Sequence, residues 1–62
     1  METCIITNKT FPDKDVAITV EGPVAIHLWK DEIQLKDGYA VPDNNVQKLF
    51  EKNCGRKMSL NP

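Results

Sequence analysis

The sequence predicts an α+β domain: an antiparallel β-meander of four to five short strands, open or curled into a small barrel, with one C-terminal α-helix packed on its apolar face. Three observations carry this. Apolar and polar residues alternate between Asp15 and Val41, the period of a strand with one buried side. Glycine, proline and acidic residues interrupt that alternation at hairpin spacing. After Pro42, apolar residues recur at helical spacing and stop at a glycine.

Register follows from placing the apolar residues of neighbouring strands on one face. Val16, Ile18 and Val20 alternate with Ala17, Thr19 and Glu21, and Val24, Ile26 and Leu28 with Ala25, His27 and Trp29. A three-residue loop at Glu21-Gly22-Pro23 sets Val20 opposite Val24, Ile18 opposite Ile26 and Val16 opposite Leu28. A two-residue loop at Asp31-Glu32 then sets Leu28 opposite Leu35. Lys36-Asp37-Gly38 suits a three-residue loop with Gly38 in the left-handed position of a bulge, aligning Leu35 with Tyr39 and Ile33 with Val41. Thr3–Thr7 is expected to add a fifth strand.

Asp43 or Asn44 can cap the helix that follows. Val46, Leu49, Phe50 and Cys54 form its apolar stripe, and Gly55 is the expected left-handed stop. About eleven helical residues do not persist alone in water, so the stripe must pack on the sheet. Residues 56–62 either fold back through Met58 and Leu60 or remain a loose tail.

The chain has 62 residues, enough for one small domain spanning 1–62. A domain this short buries only ~60% of the surface its unfolded chain exposes. Such domains usually recruit a disulfide, a metal or a partner. With 40% hydrophobic residues and a net charge of −1, disorder is not expected. No signal-peptide pattern and no apolar run of ~20 residues is visible. The expected setting is therefore cytoplasmic, with no membrane partner and with Cys4 and Cys54 reduced.

Two stretches bear on metal binding. Cys4-Ile5-Ile6-Thr7-Asn8-Lys9-Thr10-Phe11 has the outline of half a zinc knuckle, C-x-x-C-G-K-x-F, with Thr7 in the place of the second thiolate. Glu51-Lys52-Asn53-Cys54-Gly55-Arg56 outlines the opposite half, with Glu51 in the first ligand position. A structural zinc site needs four ligands, typically in two closely spaced pairs. Cys4, His27 and Cys54 offer none at that spacing, so turn and helix-stop residues are the expected reading. A zinc-binding module ranks third among the functional readings, and no cofactor is expected.

Catalysis is not expected either. It needs a nucleophile, a base and an orienting group in a water-poor cleft. The chain has one histidine, His27, and one serine, Ser59, within its final residues. So short a chain leaves little material to wall a pocket around a small-molecule substrate.

The sheet's second face is expected to carry Ala17, Thr19, Ala25, His27, Trp29, Gln34 and Ala40, almost without charge. Charge depletion around a tryptophan marks the centre of a protein contact. The expected function is a non-catalytic protein-binding module using Trp29, His27, Thr19 and Gln34: a regulator, inhibitor or adaptor of a larger protein, or a small homodimer. Charge asymmetry supports an alternative. Residues 1–43 hold eight acids against four bases, whereas residues 44–62 hold Lys48, Lys52, Arg56 and Lys57 against Glu51 alone. That basic segment suits a nucleic-acid-binding regulator.

Overall fold

The computed structural model describes residues 1–60. Its class is α+β, with six short antiparallel strands in three two-stranded sheets and a C-terminal helix. The strands are β1 (Glu2–Thr3), β2 (Thr10–Phe11), β3 (Val16–Thr19), β4 (Gly22–Ala25), β5 (Gln34–Lys36) and β6 (Tyr39–Val41), and the helix is α1 (Asn44–Cys54). The hairpins β1–β2, β3–β4 and β5–β6 do not join into one meander, and among the described residues no barrel closes.

The expected fifth strand is a tight turn. Residues 4–8 bend so that Asn8 N–H donates to the Cys4 carbonyl at 2.8 Å and Cys4 N–H donates to the Lys9 carbonyl at 2.9 Å. Asn8 takes a left-handed φ of 61°, which asparagine tolerates better than most side chains. β1 therefore pairs with β2, and the turn docks on β4, where Ile5 N–H donates to the Pro23 carbonyl at 2.9 Å.

The β3–β4 register differs from the expected one, and Thr19 explains the difference. Its hydroxyl donates to the Gly22 carbonyl at 2.9 Å and accepts from Glu21 N–H at 3.2 Å and Gly22 N–H at 3.3 Å. A threonine hydroxyl that binds backbone groups two or three residues on closes a turn by itself. The loop becomes Val20-Glu21, and the pairs are Thr19↔Gly22, Ile18↔Pro23, Ala17↔Val24 and Val16↔Ala25. An odd shift in register exchanges the faces. Thr19 now shares its face with Ala17 and buried Val24 and is itself buried, while Ile18, on the opposite face and expected in the core, is 44% exposed.

A second correction follows at Ile26. The expected strand continues as far as Trp29, but a 3-10 turn spans Ile26–Leu28, with Trp29 N–H donating to the Ile26 carbonyl at 3.0 Å. That turn leaves Ile26 exposed and removes the Asp31-Glu32 hairpin. In its place residues 29–33 run as a connection, tied to the helix start where Asn45 donates its side-chain amide to the Leu28 carbonyl.

The β5–β6 loop is Asp37-Gly38, with φ of 52° and 82°, the two positive values of a type I′ turn. Leu35 faces Ala40, and Lys36 faces Tyr39. Ala40 is buried, whereas Leu35 lies outside the core, correcting a further core expectation.

The helix matches its expected span. Asp43 caps it, its Oδ1 accepting from Val46 N–H at 2.9 Å, and Gly55 ends it at a φ of 74°. Val46 and Phe50 enter a buried cluster with Cys4, Ile6, Val24, Ala25 and Met58, and Leu49 packs against it. Cys54, expected on the stripe, is exposed instead. Residues 56–60 fold back and bury Met58; the rest of the expected tail, Asn61 and Pro62, lies outside the described residues.

Candidate functional site

The knuckle outline at Cys4 is a real turn with a different filling. The Cys4 sulfur is fully buried and accepts a hydrogen bond from Ala25 N–H at 3.5 Å. Burial pushes the thiol pKa up, but hydrogen bonds from the backbone of Ala25 and Thr7, the Thr7 hydroxyl and the backbone of Ile6 outweigh it, holding the pKa below the usual thiol value. The Cys54 thiol donates to the Ile5 carbonyl at 3.7 Å. In a trans peptide the Ile5 carbonyl and the Ile6 N–H point to opposite sides. Both thiols are free. Among the described residues no three His, Cys, Asp or Glu side chains converge to hold a metal ion.

An open polar groove of about 410 Å³ runs between residues 30–34 and the helix start, lined by Lys30, Asp31, Gln34, Asp43, Asn45 and Lys48 among others. Asp31 N–H donates to Asp43 Oδ2 at 3.4 Å, and the Gln47 amide donates to the Pro42 carbonyl at 3.1 Å. These side chains bind the loop to the helix. The lining carries no serine, cysteine or histidine.

The expected contact residues do not share one exposed face. Thr19 is buried in its own turn. Trp29 packs against the buried cluster, with its indole N–H buried and without a hydrogen-bond partner among the described residues. His27 is exposed, its ring 5.5 Å from that of Phe11. Gln34 is exposed on β5, opposite Val41.

The basic segment is also altered by the fold. The Arg56 guanidinium donates to both Glu21 carboxylate oxygens, at 2.7 and 3.2 Å, and lies 5.0 Å from the Phe50 ring centroid. Ser59 N–H donates to the same carboxylate at 3.0 Å. Lys48, Lys52 and Lys57 remain exposed. The Arg56 side chain, then the Ser59 N–H, hold the Glu21 pKa below the usual carboxylate value, and Arg56 is held above its own.

Since the folded Glu21 binds a proton less readily than the unfolded one, this contact is complete above the ordinary glutamate range. It is lost as pH falls through the lowered value. The Ser59 amide resonance is expected to titrate with a midpoint below the ordinary value of about 4.3. A midpoint at the ordinary value would show that Glu21 does not hold the segment.

Apolar exposure concentrates elsewhere. On the hairpin Gln34–Val41, Leu35 is 72% exposed, Tyr39 40% and Val41 37%. β3 runs alongside β6 and presents Ile18. Tyr39 and Val41 alternate with buried Ala40, so both point away from the core side. Sequence reasoning missed this surface by treating Leu35 as core. The Asp37-Gly38 dipeptide carried the missing signal: taken as a two-residue turn, it sets Leu35 opposite Ala40 rather than Tyr39. No known protein family, curated protein or solved structure matches the chain. No helix among the described residues is long and apolar enough to cross a membrane.

Proposed function

We propose that the chain is a non-catalytic protein-binding module, a small regulator, inhibitor or adaptor or one half of a homodimer, with the β5–β6 hairpin as its contact surface. One observation carries the reading: the hairpin leaves large apolar area in water on both faces, Leu35 on one and Tyr39 with Val41 on the other. That arrangement has no use in the core and is typical of an interaction site. Among the described residues β5 pairs with β6 alone, so its other edge offers unpaired backbone groups for strand addition. His27 and Trp29 lie outside this surface, and Gln34 belongs to it.

The test is retention of a partner from lysate with and without nuclease, using the parent chain and the Leu35→Asp variant as baits. The expected result is a discrete protein that survives nuclease and is lost with Leu35→Asp, while the variant's circular dichroism is unchanged. Retention abolished by nuclease would shift the function to Lys48, Lys52 and Lys57, because phosphate contacts dominate nucleic-acid affinity.

A further inference from the structure

We propose that the partner of the open β5 edge is a second copy of this chain, added antiparallel about a two-fold axis at Gln34; this rests on the protein-binding reading above. The free backbone groups of β5 set which registers can pair. In the type I′ turn, Lys36 and Tyr39 flank the two-residue loop and form a hydrogen-bonded pair. Hydrogen-bonded and non-bonded pairs alternate along an antiparallel ladder. Gln34 and Lys36 therefore direct their backbone groups towards β6, and Leu35 directs its N–H and C=O out of the edge. By the same alternation, extending β5 to Glu32 makes Ile33 the next outward residue.

Only registers that place outward residues opposite outward residues can form hydrogen bonds across this edge. The register centred on Gln34 pairs Leu35 with Ile33 of the second copy and Lys36 with Glu32 of the second copy, each twice by symmetry. The segment Glu32-Ile33-Gln34-Leu35-Lys36 is thus complementary to its own reverse, apolar against apolar and acid against base. The neighbouring bonded registers are not. Centring on Ile33 sets Lys36 against Lys30 and Leu35 against Asp31. Centring on Leu35 sets Ile33 against Asp37.

The side-chain faces agree. Leu35 lies on the Ala40 side of the hairpin and Lys36 on the Tyr39 side. The pairing covers the most exposed of the hairpin's apolar side chains, Leu35 at 72%, and leaves the ion pairs on the opposite face. It also joins the two hairpins into one four-stranded sheet, removing an open edge that is otherwise a liability in water.

Sedimentation equilibrium on the purified chain tests this over about 10 μM to 1 mM, the range suited to a contact this small. The weight-average mass is expected to rise from one chain towards two. Lys36→Glu and Glu32→Lys, each placing like charges opposite at both pairs, should move the transition about tenfold higher in concentration. The double reversal, Lys36→Glu with Glu32→Lys, should restore it. Both positions are exposed, and unchanged circular dichroism confirms that the variants fold. A chain that stays monomeric throughout, single variants that associate as the parent does, or a double reversal that fails to restore association would overturn the proposal. Monomeric behaviour with a Leu35-dependent partner still retained from lysate would leave the protein-binding reading standing and remove only the second copy.

Discussion

Phe50→Ala leaves most of the protein unfolded at room temperature. Phe50 is 1% exposed and lies near the centre of α1. Truncating a buried phenylalanine costs about 3–5 kcal/mol through lost transfer energy and the cavity left behind. A domain of this size rarely has more than about 3–5 kcal/mol in total. The same ring supports the Arg56 guanidinium, so the 56–60 segment loses a second contact. Urea unfolding followed by circular dichroism checks this, with Phe50→Leu, which keeps most of the volume, expected to remain folded. A loss under about 1 kcal/mol for Phe50→Ala would mean that the helix does not close the core in this way.

Gly22→Ala is the second large effect. Gly22 has a φ of 137°, and a Cβ built there lies 3.1 Å from Cγ2 of Ile5. Backbone strain of this kind costs about 1–3 kcal/mol in a residue with a side chain, and Ile5 must also move. Ile5 cannot shift freely, because its N–H is bonded to the Pro23 carbonyl. The substitution thus separates the Cys4 turn from β4. Gly38→Ala provides the comparison: its φ of 82° also disfavours a side chain, but no atom lies within 4 Å of the added carbon. In urea unfolding Gly22→Ala is expected to lose more stability than Gly38→Ala. Equal losses would place the whole cost in the backbone and remove the steric contact from the account.

The parts of the fold legible in the sequence are those set by local chemistry. Asp43, the Val46–Phe50 spacing and Gly55 define the helix within a few residues of chain, and the structure keeps all three. Asn8-Lys9, read as turn residues, does turn, with Asn8 at a left-handed φ of 61°, but the strand expected over Thr3–Thr7 was not there to be read. The faces of the strands were not legible, because face depends on loop length, and loop length turned on one hydroxyl. Hydropathy ranks Thr19 as a surface residue, yet its bonds to residues 21 and 22 close the loop early and reverse the pattern. The 3-10 turn at Ile26–Leu28 was equally hidden, since Val24, Ile26 and Leu28 continue a strand period without a break. Burial at two apolar positions was misread for the same reason. Trp29 carries the strongest interface propensity in the chain but packs inward, and Leu35, assigned to the core, stands out in water.

The central claim, that the outer edge of β5 is an interface, is tested most directly by amide hydrogen exchange at Ile33, Leu35 and Lys36 as a function of protein concentration. Lys36 directs its N–H towards β6 at every concentration, so its exchange should stay constant. The Leu35 amide points out of the edge, as does that of Ile33 once β5 extends to Glu32, and exchange at both is expected to slow as concentration rises and a second copy pairs with them. Concentration-independent exchange at both, with sedimentation showing that a dimer has formed, would put the contact elsewhere on the molecule and contradict the account.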